Sequence, residues 1–124
     1  MRQVKGRNTS PELIVRRMLQ KAGRSGYRLH RSDVDGKPDI AWLGRKQAIF
    51  VNGCFWHGHT CKRGARRPVT NGAYWENKID RNRKRDARNR QLLREKGWRV
   101  LVIWECDLVD LDRLNKKLRQ FLKT

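Results

Sequence analysis

The sequence is poor in the features that stiffen secreted proteins or anchor membrane proteins. Only three cysteines and three prolines occur among its 124 residues. An odd number of cysteines, with no signal peptide, argues against a disulfide scaffold. No apolar run approaches the length of a membrane-spanning helix, and no lipidation signal is present. We therefore expect a cytoplasmic protein without a membrane partner.

Acidic residues are also scarce, since 12 Asp and Glu stand against 31 Lys and Arg, giving a formal net charge of +19. Self-repulsion of this size opposes compaction, and its usual counterpart is a polyanion, with nucleic acid as the leading candidate. Because 37% of the residues are apolar and five are Trp, a packed fold is favoured over a disordered basic chain. The length suits a single domain, 1–124, that begins with a basic N-terminal arm over residues 1–9.

Apolar periodicity predicts helices alternating with strands. Predicted helices cover residues 10–22, which end before Gly23, and residues 75–96 and 111–122. Four β-rich runs predict strands at residues 27–30, 38–43, 47–51 and 98–104, and the two middle runs form a hairpin. Residues 62–73 are interpreted as a loop. This order predicts an α/β sandwich, in which helices flank a small mixed central sheet.

A cluster of cysteine and histidine predicts a structural zinc site. Cys54, His59 and Cys61 lie within eight residues, directly after a predicted strand, and Cys106 follows the strongest predicted strand. If these strands are neighbours in one sheet, their ends bring the cysteines to the same edge. Three thiolates and one imidazole form a closed tetrahedral zinc site. Spacing alone does not decide between His57 and His59, and buried free cysteines with surface histidines are the alternative.

Two aspartates are candidates for a reactive site. Asp39 follows a glycine turn at the start of a predicted strand, where a carboxylate can bind Mg²⁺, although an ordinary turn aspartate has the same context. Asp86 shares a helix face with Ile79 and Leu93, so it is predicted to point inward. An inward carboxylate needs a cation, a hydrogen-bond donor or a metal-linked group, and a salt bridge to an arginine is the alternative.

The predicted long helix and the Cys/His loop also carry candidate DNA contacts. Basic residues crowd this helix: Lys78, Arg81, Arg83, Lys84, Arg85, Arg88 and Arg90. A solvated charged face is the ordinary explanation, but so large an excess of one sign favours phosphate contacts. Three aromatic residues, Phe55, Trp56 and Trp75, suit either core packing or intercalation between base pairs.

Several motifs together resemble the very-short-patch repair DNA mismatch endonucleases. They are Asn8-Thr9-Ser10-Pro11-Glu12, Gly36-Lys37-Pro38-Asp39, Gly53-Cys54-Phe55-Trp56-His57 through Cys61, Tyr74-Trp75 with Lys78-Ile79, and Gly97-Trp98-Arg99-Val100 through Trp104-Glu105-Cys106. The resemblance runs in register from about Met1 to Cys106. It implies a restriction-endonuclease-like fold and an enzyme that nicks one strand at T:G mismatches left by deamination of 5-methylcytosine.

The resemblance also implies roles for individual residues. It implies catalytic Mg²⁺ at Asp39, with Val51 contributing through its backbone carbonyl. It assigns the structural zinc to Cys54, His59, Cys61 and Cys106. His57 becomes the general acid or base, oriented by Asp86, and Glu12 assists the acidic site. Phe55, Trp56 and Trp75 become the aromatic wedge that enters the mismatched duplex, next to phosphate contacts from Lys78, Arg81, Arg85 and Arg88.

The chain departs from the family pattern in three places. Val51 replaces a Thr of the family's well-studied form, which matters only if a hydroxyl is needed there. Asn52 replaces a second histidine of the same motif, and an amide can hydrogen-bond a phosphate but cannot shuttle a proton. The arm upstream of Asn8 is short, which predicts weaker and more salt-sensitive DNA binding.

We therefore expect an Mg²⁺-dependent strand-nicking endonuclease that acts as a monomer on mismatched double-stranded DNA. One alternative is a related nickase of different or broader specificity. Another is a catalytically weak, zinc-containing module that binds mismatches. Mismatch-repair proteins are the remaining candidate partners.

Overall fold

The computed structural model of the chain describes residues 10–54 and 72–123. Three α-helices lie in these two ranges: α1 (Ser10–Lys21), α2 (Gly72–Glu95) and α3 (Leu111–Leu122). The strands there are β1 (Arg28–Leu29), β2 (Ile40–Trp42), β3 (Gln47–Asn52) and β4 (Arg99–Trp104), and a short 3₁₀ helix spans Glu105–Val109. Each predicted helix and strand is therefore present, with ends that shift by a few residues. None of the described helices is long and apolar enough to cross a membrane.

The strands form a mixed sheet in the order β1-β2-β3-β4. β2 runs antiparallel to both β1 and β3, which confirms the predicted hairpin, whereas β4 runs parallel to β3. A parallel pair needs a crossover connection, and α2 lies within it. The β3–β4 register extends to Asn52↔Trp104, so these two strands end at the same edge of the sheet.

Helices cover both faces of the sheet because alternate residues of a strand point to opposite sides. On one face, Ile49 of β3 packs with Leu19 of α1 and Leu118 of α3 in the larger core cluster. On the other face, Ala48 packs with Leu93 of α2 in a smaller cluster. The predicted α/β sandwich with a mixed central sheet is thus confirmed.

The predicted glycine stops end both α1 and α2. Gly23 and Gly97 have positive φ angles of 75° and 87°, which glycine adopts at little cost. The N–H of the next residue then donates back to the last turn, from Arg24 to the Leu19 carbonyl at 3.0 Å and from Trp98 to the Leu93 carbonyl at 2.9 Å. Since Trp98 closes the helix in this way, β4 begins one residue later than predicted.

The start of α2 corrects the predicted loop over residues 62–73. Gly72 and Ala73 belong to the helix, which begins three residues before the predicted position at Trp75. Aromatic periodicity marked Trp75 as the first inward residue, but a helix begins wherever its backbone becomes regular. The basic arm, residues 1–9, and the rest of the predicted loop lie outside the described residues.

Candidate active site

Asp39 lies at the mouth of β2, as the sequence predicts, and is held there by the neighbouring strand. Its Oδ2 accepts a hydrogen bond of 2.7 Å from the backbone N–H of Val51. The hairpin pairing Ile40↔Ile49 explains this contact, because it places the residue before β2 beside the last residues of β3. A main-chain donor therefore fixes one carboxylate oxygen and orients the other.

An open cavity of about 880 Å³ collects many of the candidate residues. Six of them line it: Asp39, Val51, Asn52, Arg85, Asp86 and Arg90. Gly36, Asn89 and Glu105 also line it, and none of these three has a role predicted from the sequence. The cavity therefore joins the start of β2, the end of β3 and the middle of α2, and it presents acidic and basic groups together.

Asp86 points inward from α2, as the helical pattern predicts. Ile79 and Leu93 on the same face are each 1% exposed, and the side chain of Asp86 is 16% exposed. Its Oδ1 lies 3.4 Å from Nη2 of Arg85, so the alternative of an arginine partner is also realised. The Arg85 side chain is 54% exposed, and both residues line the cavity that Asp39 also lines.

Glu12 and His30 form a buried group behind Asp39. Glu12 is 1% exposed and shares the inward face of α1 with Val15 and Leu19. Its Oε2 lies 3.0 Å from Nε2 of His30, and Nδ1 of His30 lies 4.0 Å from Oδ1 of Asp39. One ligand atom from each of these three residues can be chosen within 4.8 Å of the others, which is a spacing that can hold a metal ion.

His30 is not among the site residues predicted from the sequence. It follows a strand of only two residues in a polar segment, where a lone histidine has no periodic partner. The signal is in the strand pairing: Leu29↔Ile40 makes His30 and Asp39 the next opposed residues, and the His30 N–H donates to the Asp39 carbonyl at 3.2 Å. His30 could be predicted as a site residue only if the pairing between β1 and β2 were already known.

Two other acidic residues of the cavity, Asp33 and Asp35, each contact a basic side chain. Arg31 donates two hydrogen bonds, of 2.8 and 2.7 Å, to the carboxylate of Asp33. These hydrogen bonds lower the pKa of Asp33. Asp35 lies 2.7 Å from Nζ of Lys96. These paired rim carboxylates are poorer candidates for metal binding than Asp39.

Cys54 and Cys106 lie together, as expected for strand ends at one edge of a sheet. Each follows the final β3–β4 pair, Asn52↔Trp104, by two residues. Cys54 is fully buried, and its Sγ accepts a hydrogen bond from the backbone N–H of Cys106 at 3.4 Å. The remaining predicted residues of this region, Phe55, Trp56, His57, His59 and Cys61, lie outside the described residues.

The basic side of α2 forms a shallow pocket beside the cavity. It is lined by Lys78, Arg81, Asn82, Lys84, Arg85 and Arg88. Arg85 lines both the pocket and the cavity, so the two surfaces are continuous. Trp75, at the start of the same helix, is half-buried and contacts Tyr74 edge-to-face with the ring centroids 5.1 Å apart.

A family model matches the first half of the chain, and relatives match nearly its whole length. The family model described as DNA mismatch endonuclease Vsr matches residues 1–63. Type II nicking enzyme V.XorIIP of Xanthomonas oryzae pv. oryzae is 47% identical over 122 residues, which cover 98% of this chain and 88% of that protein. DNA mismatch endonuclease Vsr of Escherichia coli is 36% identical over 114 residues, covering 92% and 72%, respectively.

A solved structure extends this similarity to the fold. The catalytic domain of homing endonuclease I-Bth0305I superposes with a TM-score of 0.61 and 27% sequence identity, covering 92% of this chain and 94% of that domain. This similarity agrees with a restriction-endonuclease-like arrangement of the sheet and helices. The family match and the near-full-length relatives together show that the chain belongs to the DNA mismatch endonuclease Vsr family and is a DNA endonuclease.

Proposed function

We propose that the protein nicks one strand of double-stranded DNA at T:G mismatches left by deamination of 5-methylcytosine, with Mg²⁺ bound at Asp39. The observation that carries this proposal is the cavity shared by Asp39 and Asp86, which continues into the basic pocket of α2. A phosphodiester held on the basic side would have its scissile group beside the carboxylates. Membership of a mismatch endonuclease family supports the choice of substrate.

The donor set beside the cavity fits a hard dication. Mg²⁺ prefers oxygen ligands and usually keeps several waters, so one or two protein oxygens are enough. Asp39 supplies a carboxylate fixed by the Val51 N–H, and Val51 would add its backbone carbonyl. When bound, the ion neutralises charge on the phosphate and the leaving oxygen.

The residues around this position divide the chemistry between them. A water molecule attacks phosphorus, the bond from phosphorus to the leaving oxygen breaks, and His57 takes or returns the proton. Asp86 orients His57, Glu12 supports the acidic group from behind, and Asn52 donates a hydrogen bond to a phosphate oxygen. These roles follow from the family resemblance, and the positions of Asp86, Glu12 and Asn52 around Asp39 support them.

Recognition of the mismatch is assigned to the neighbouring surfaces. Lys78, Arg81, Arg85 and Arg88 bind backbone phosphates, which position the duplex without reading its sequence. Phe55, Trp56 and Trp75 enter at the mismatch, where unstacking costs less than at a paired base. Zinc held by Cys54, His59, Cys61 and Cys106 stiffens the loop that carries Phe55, Trp56 and His57. The protein acts as a monomer.

A nicking assay on end-labelled duplexes tests the proposal. We expect the protein to nick a T:G duplex on one strand in Mg²⁺, to leave the matched T:A duplex intact and to stop in a chelator. Asp39→Asn keeps an acceptor for the Val51 N–H but removes the charge, so nicking should fall by at least ~10²-fold without unfolding. His57→Ala should cause a loss of similar size.

The other outcomes of this assay would replace the proposal. Equal nicking of several mismatches would indicate a nickase of broader specificity. Tight binding of T:G duplex without nicking would indicate a mismatch-binding module, which the replacement of a motif histidine by Asn52 would explain. Nicking that persists in both Asp39→Asn and His57→Ala would show that the active site lies elsewhere in the protein.

A further inference from the structure

The buried group behind Asp39 contains a residue to which neither the family resemblance nor the proposed reaction gives a role. His30 faces two carboxylates at once, with Nε2 3.0 Å from Glu12 Oε2 and Nδ1 4.0 Å from Asp39 Oδ1. Only 11% of its side chain is exposed. A histidine this close to two carboxylates can contact a ligand that binds to them.

The backbone at His30 lies in the left-handed region. Its φ angle is +51°, a conformation that Lys37 and Lys46 also adopt among the described residues and that histidine enters more readily than most non-glycine residues. The hydrogen bond from its N–H to the Asp39 carbonyl holds this conformation against β2. Backbone conformations of this kind persist where surrounding contacts enforce them, and they cluster at functional sites.

Glu12 supplies an independent observation that points to a ligand. Within the described part of the chain, neither Glu12 oxygen nor Nε2 of His30 makes a well-formed hydrogen bond, and these atoms are inaccessible to solvent. The 3.0 Å approach of Glu12 to His30, and one of 3.6 Å to Arg16, are distances between ionisable groups without hydrogen-bond geometry. A carboxylate buried to this extent normally has its oxygens satisfied.

We propose that Glu12, His30 and Asp39 bind one divalent cation, with an imidazole nitrogen of His30 as a direct ligand. Neighbouring ligands on an octahedral ion, each about 2.1 Å from it, lie about 3.0 Å apart. The spacing between Nε2 of His30 and Oε2 of Glu12 matches this value. The three ligand atoms lie within 4.8 Å of one another. The inference rests on the proposed metal-dependent function and adds Glu12 and His30 to Asp39 as ligands of the metal ion.

A nitrogen ligand changes which ion the site prefers. Mg²⁺ favours an all-oxygen shell, whereas first-row transition metals bind mixed nitrogen and oxygen sites with affinities that rise from Mn²⁺ onward. The site therefore binds Mn²⁺ more tightly than Mg²⁺, and His30 is the cause of the difference. Mn²⁺ is also a suitable probe because thiolates such as those of Cys54 and Cys106 select softer ions.

The test replaces His30 without disturbing its backbone. Asparagine also tolerates a positive φ angle. His30→Asn therefore removes the imidazole and shortens the side chain while keeping the backbone conformation. Lys46→Asn is the matched control, because Lys46 has a φ angle of +55° in the β2–β3 turn, away from the cavity. Circular dichroism checks folding, and His30→Gln is used in its place if His30→Asn does not fold.

Binding of Mn²⁺ alone is measured from the electron paramagnetic resonance signal of the free ion. We expect His30→Asn to weaken Mn²⁺ binding at least about tenfold, since loss of even an outer-shell partner costs about 10- to 100-fold. Binding of Mg²⁺ should change less, and Lys46→Asn should match the wild type. Pulsed measurements on the bound ion should show ¹⁴N modulation from an imidazole in the wild type and in Lys46→Asn, but not in His30→Asn.

These results separate this inference from the proposed function. Wild-type Mn²⁺ affinity together with persistent ¹⁴N modulation in His30→Asn would overturn the role of His30, even if the protein nicks T:G duplexes. If the wild type fails to nick but its Mn²⁺ binding depends on His30, the metal site stands and the proposed reaction does not. Equal loss of Mn²⁺ binding in Lys46→Asn would show a general effect of the backbone and would also overturn the inference.

Discussion

The carboxylate of Asp39 and the backbone amide of Val51 are joined by a 2.7 Å hydrogen bond across the hairpin. This contact uses the main-chain N–H of Val51, so any residue other than proline that continues β3 can make it. The next residue, Asn52, is 7% exposed and lines the cavity with its neighbours. The two adjacent departures from the family pattern therefore have different expected consequences, because one acts through its backbone and the other through its side chain.

Restoring the family residue at position 51 should have little effect. Val51→Thr keeps a β-branched side chain in a strand and leaves the N–H donor to Asp39 in place. We expect its single-turnover nicking rate on a T:G duplex to stay within about threefold of the wild type. A gain much larger than this would show that a hydroxyl, rather than the main chain, is needed there.

Restoring histidine at position 52 should increase the nicking rate. Positioned acid–base groups typically contribute about 10²- to 10⁴-fold, and Asn52 cannot transfer a proton. The open cavity beside Asn52 gives a larger ring room. We expect Asn52→His to raise the single-turnover rate at least about tenfold, with Val51→Thr as the neighbouring control. An unchanged rate in a folded Asn52→His protein would show that the amide already performs the required function.

Local sequence patterns predicted most of the architecture, and long-range pairing explains the remainder. The strands, the hairpin, the glycine stops and the inward direction of Asp86 all follow from patterns within about ten residues. The meeting of Cys54 and Cys106 followed from assuming that two strong strands are neighbours, which the β3–β4 pairing confirms. His30 could not be found in this way, because its importance depends on which residue of another strand stands opposite it.

Zinc at the edge of the sheet can be tested through Cys106. Its N–H donates to the buried Sγ of Cys54, so Cys106→Ser keeps the backbone contact but removes one proposed ligand. We expect metal analysis to give one zinc per wild-type chain and little in Cys106→Ser, with a fall in the thermal midpoint of at least about 5 °C. A chelator should lower the midpoint of the wild type but not that of Cys106→Ser. Equal chelator effects on both proteins would contradict a cysteine-bound structural zinc.

The basic pocket of α2 can be tested through salt dependence. Arg81 and Arg88 are exposed residues of that pocket. If each neutralises one phosphate, replacing both with Ala should reduce the slope of log affinity against log salt by roughly 1.8. The control replaces Lys116 and Arg119 with Ala, because both are exposed on α3 and the net charge changes equally. An equal reduction of the slope in the control would show that total charge, and not this face, binds DNA.

The wall of the cavity can be tested at Gly36, where the turn before Asp39 approaches α2. Gly36 has a φ angle of +79°, and an added Cβ would lie 3.0 Å from Cβ of Asn89 and 3.1 Å from Cζ of Phe50. Both the backbone conformation and the contact oppose a side chain, so Gly36→Ala should destabilise the protein by about 1–3 kcal/mol in denaturant unfolding.

Gly44→Ala provides the control for that change. Gly44 also lies in a turn, but its φ angle is not in the left-handed region and an added Cβ meets nothing within 4 Å. Its stability should stay within about 0.5 kcal/mol of the wild type. Gly36→Ala should also slow nicking of the T:G duplex at temperatures where it remains folded, because the turn that leads into Asp39 must move away from α2. If the two variants have equal stability and equal nicking rates, the close approach of this turn to α2 does not position the site.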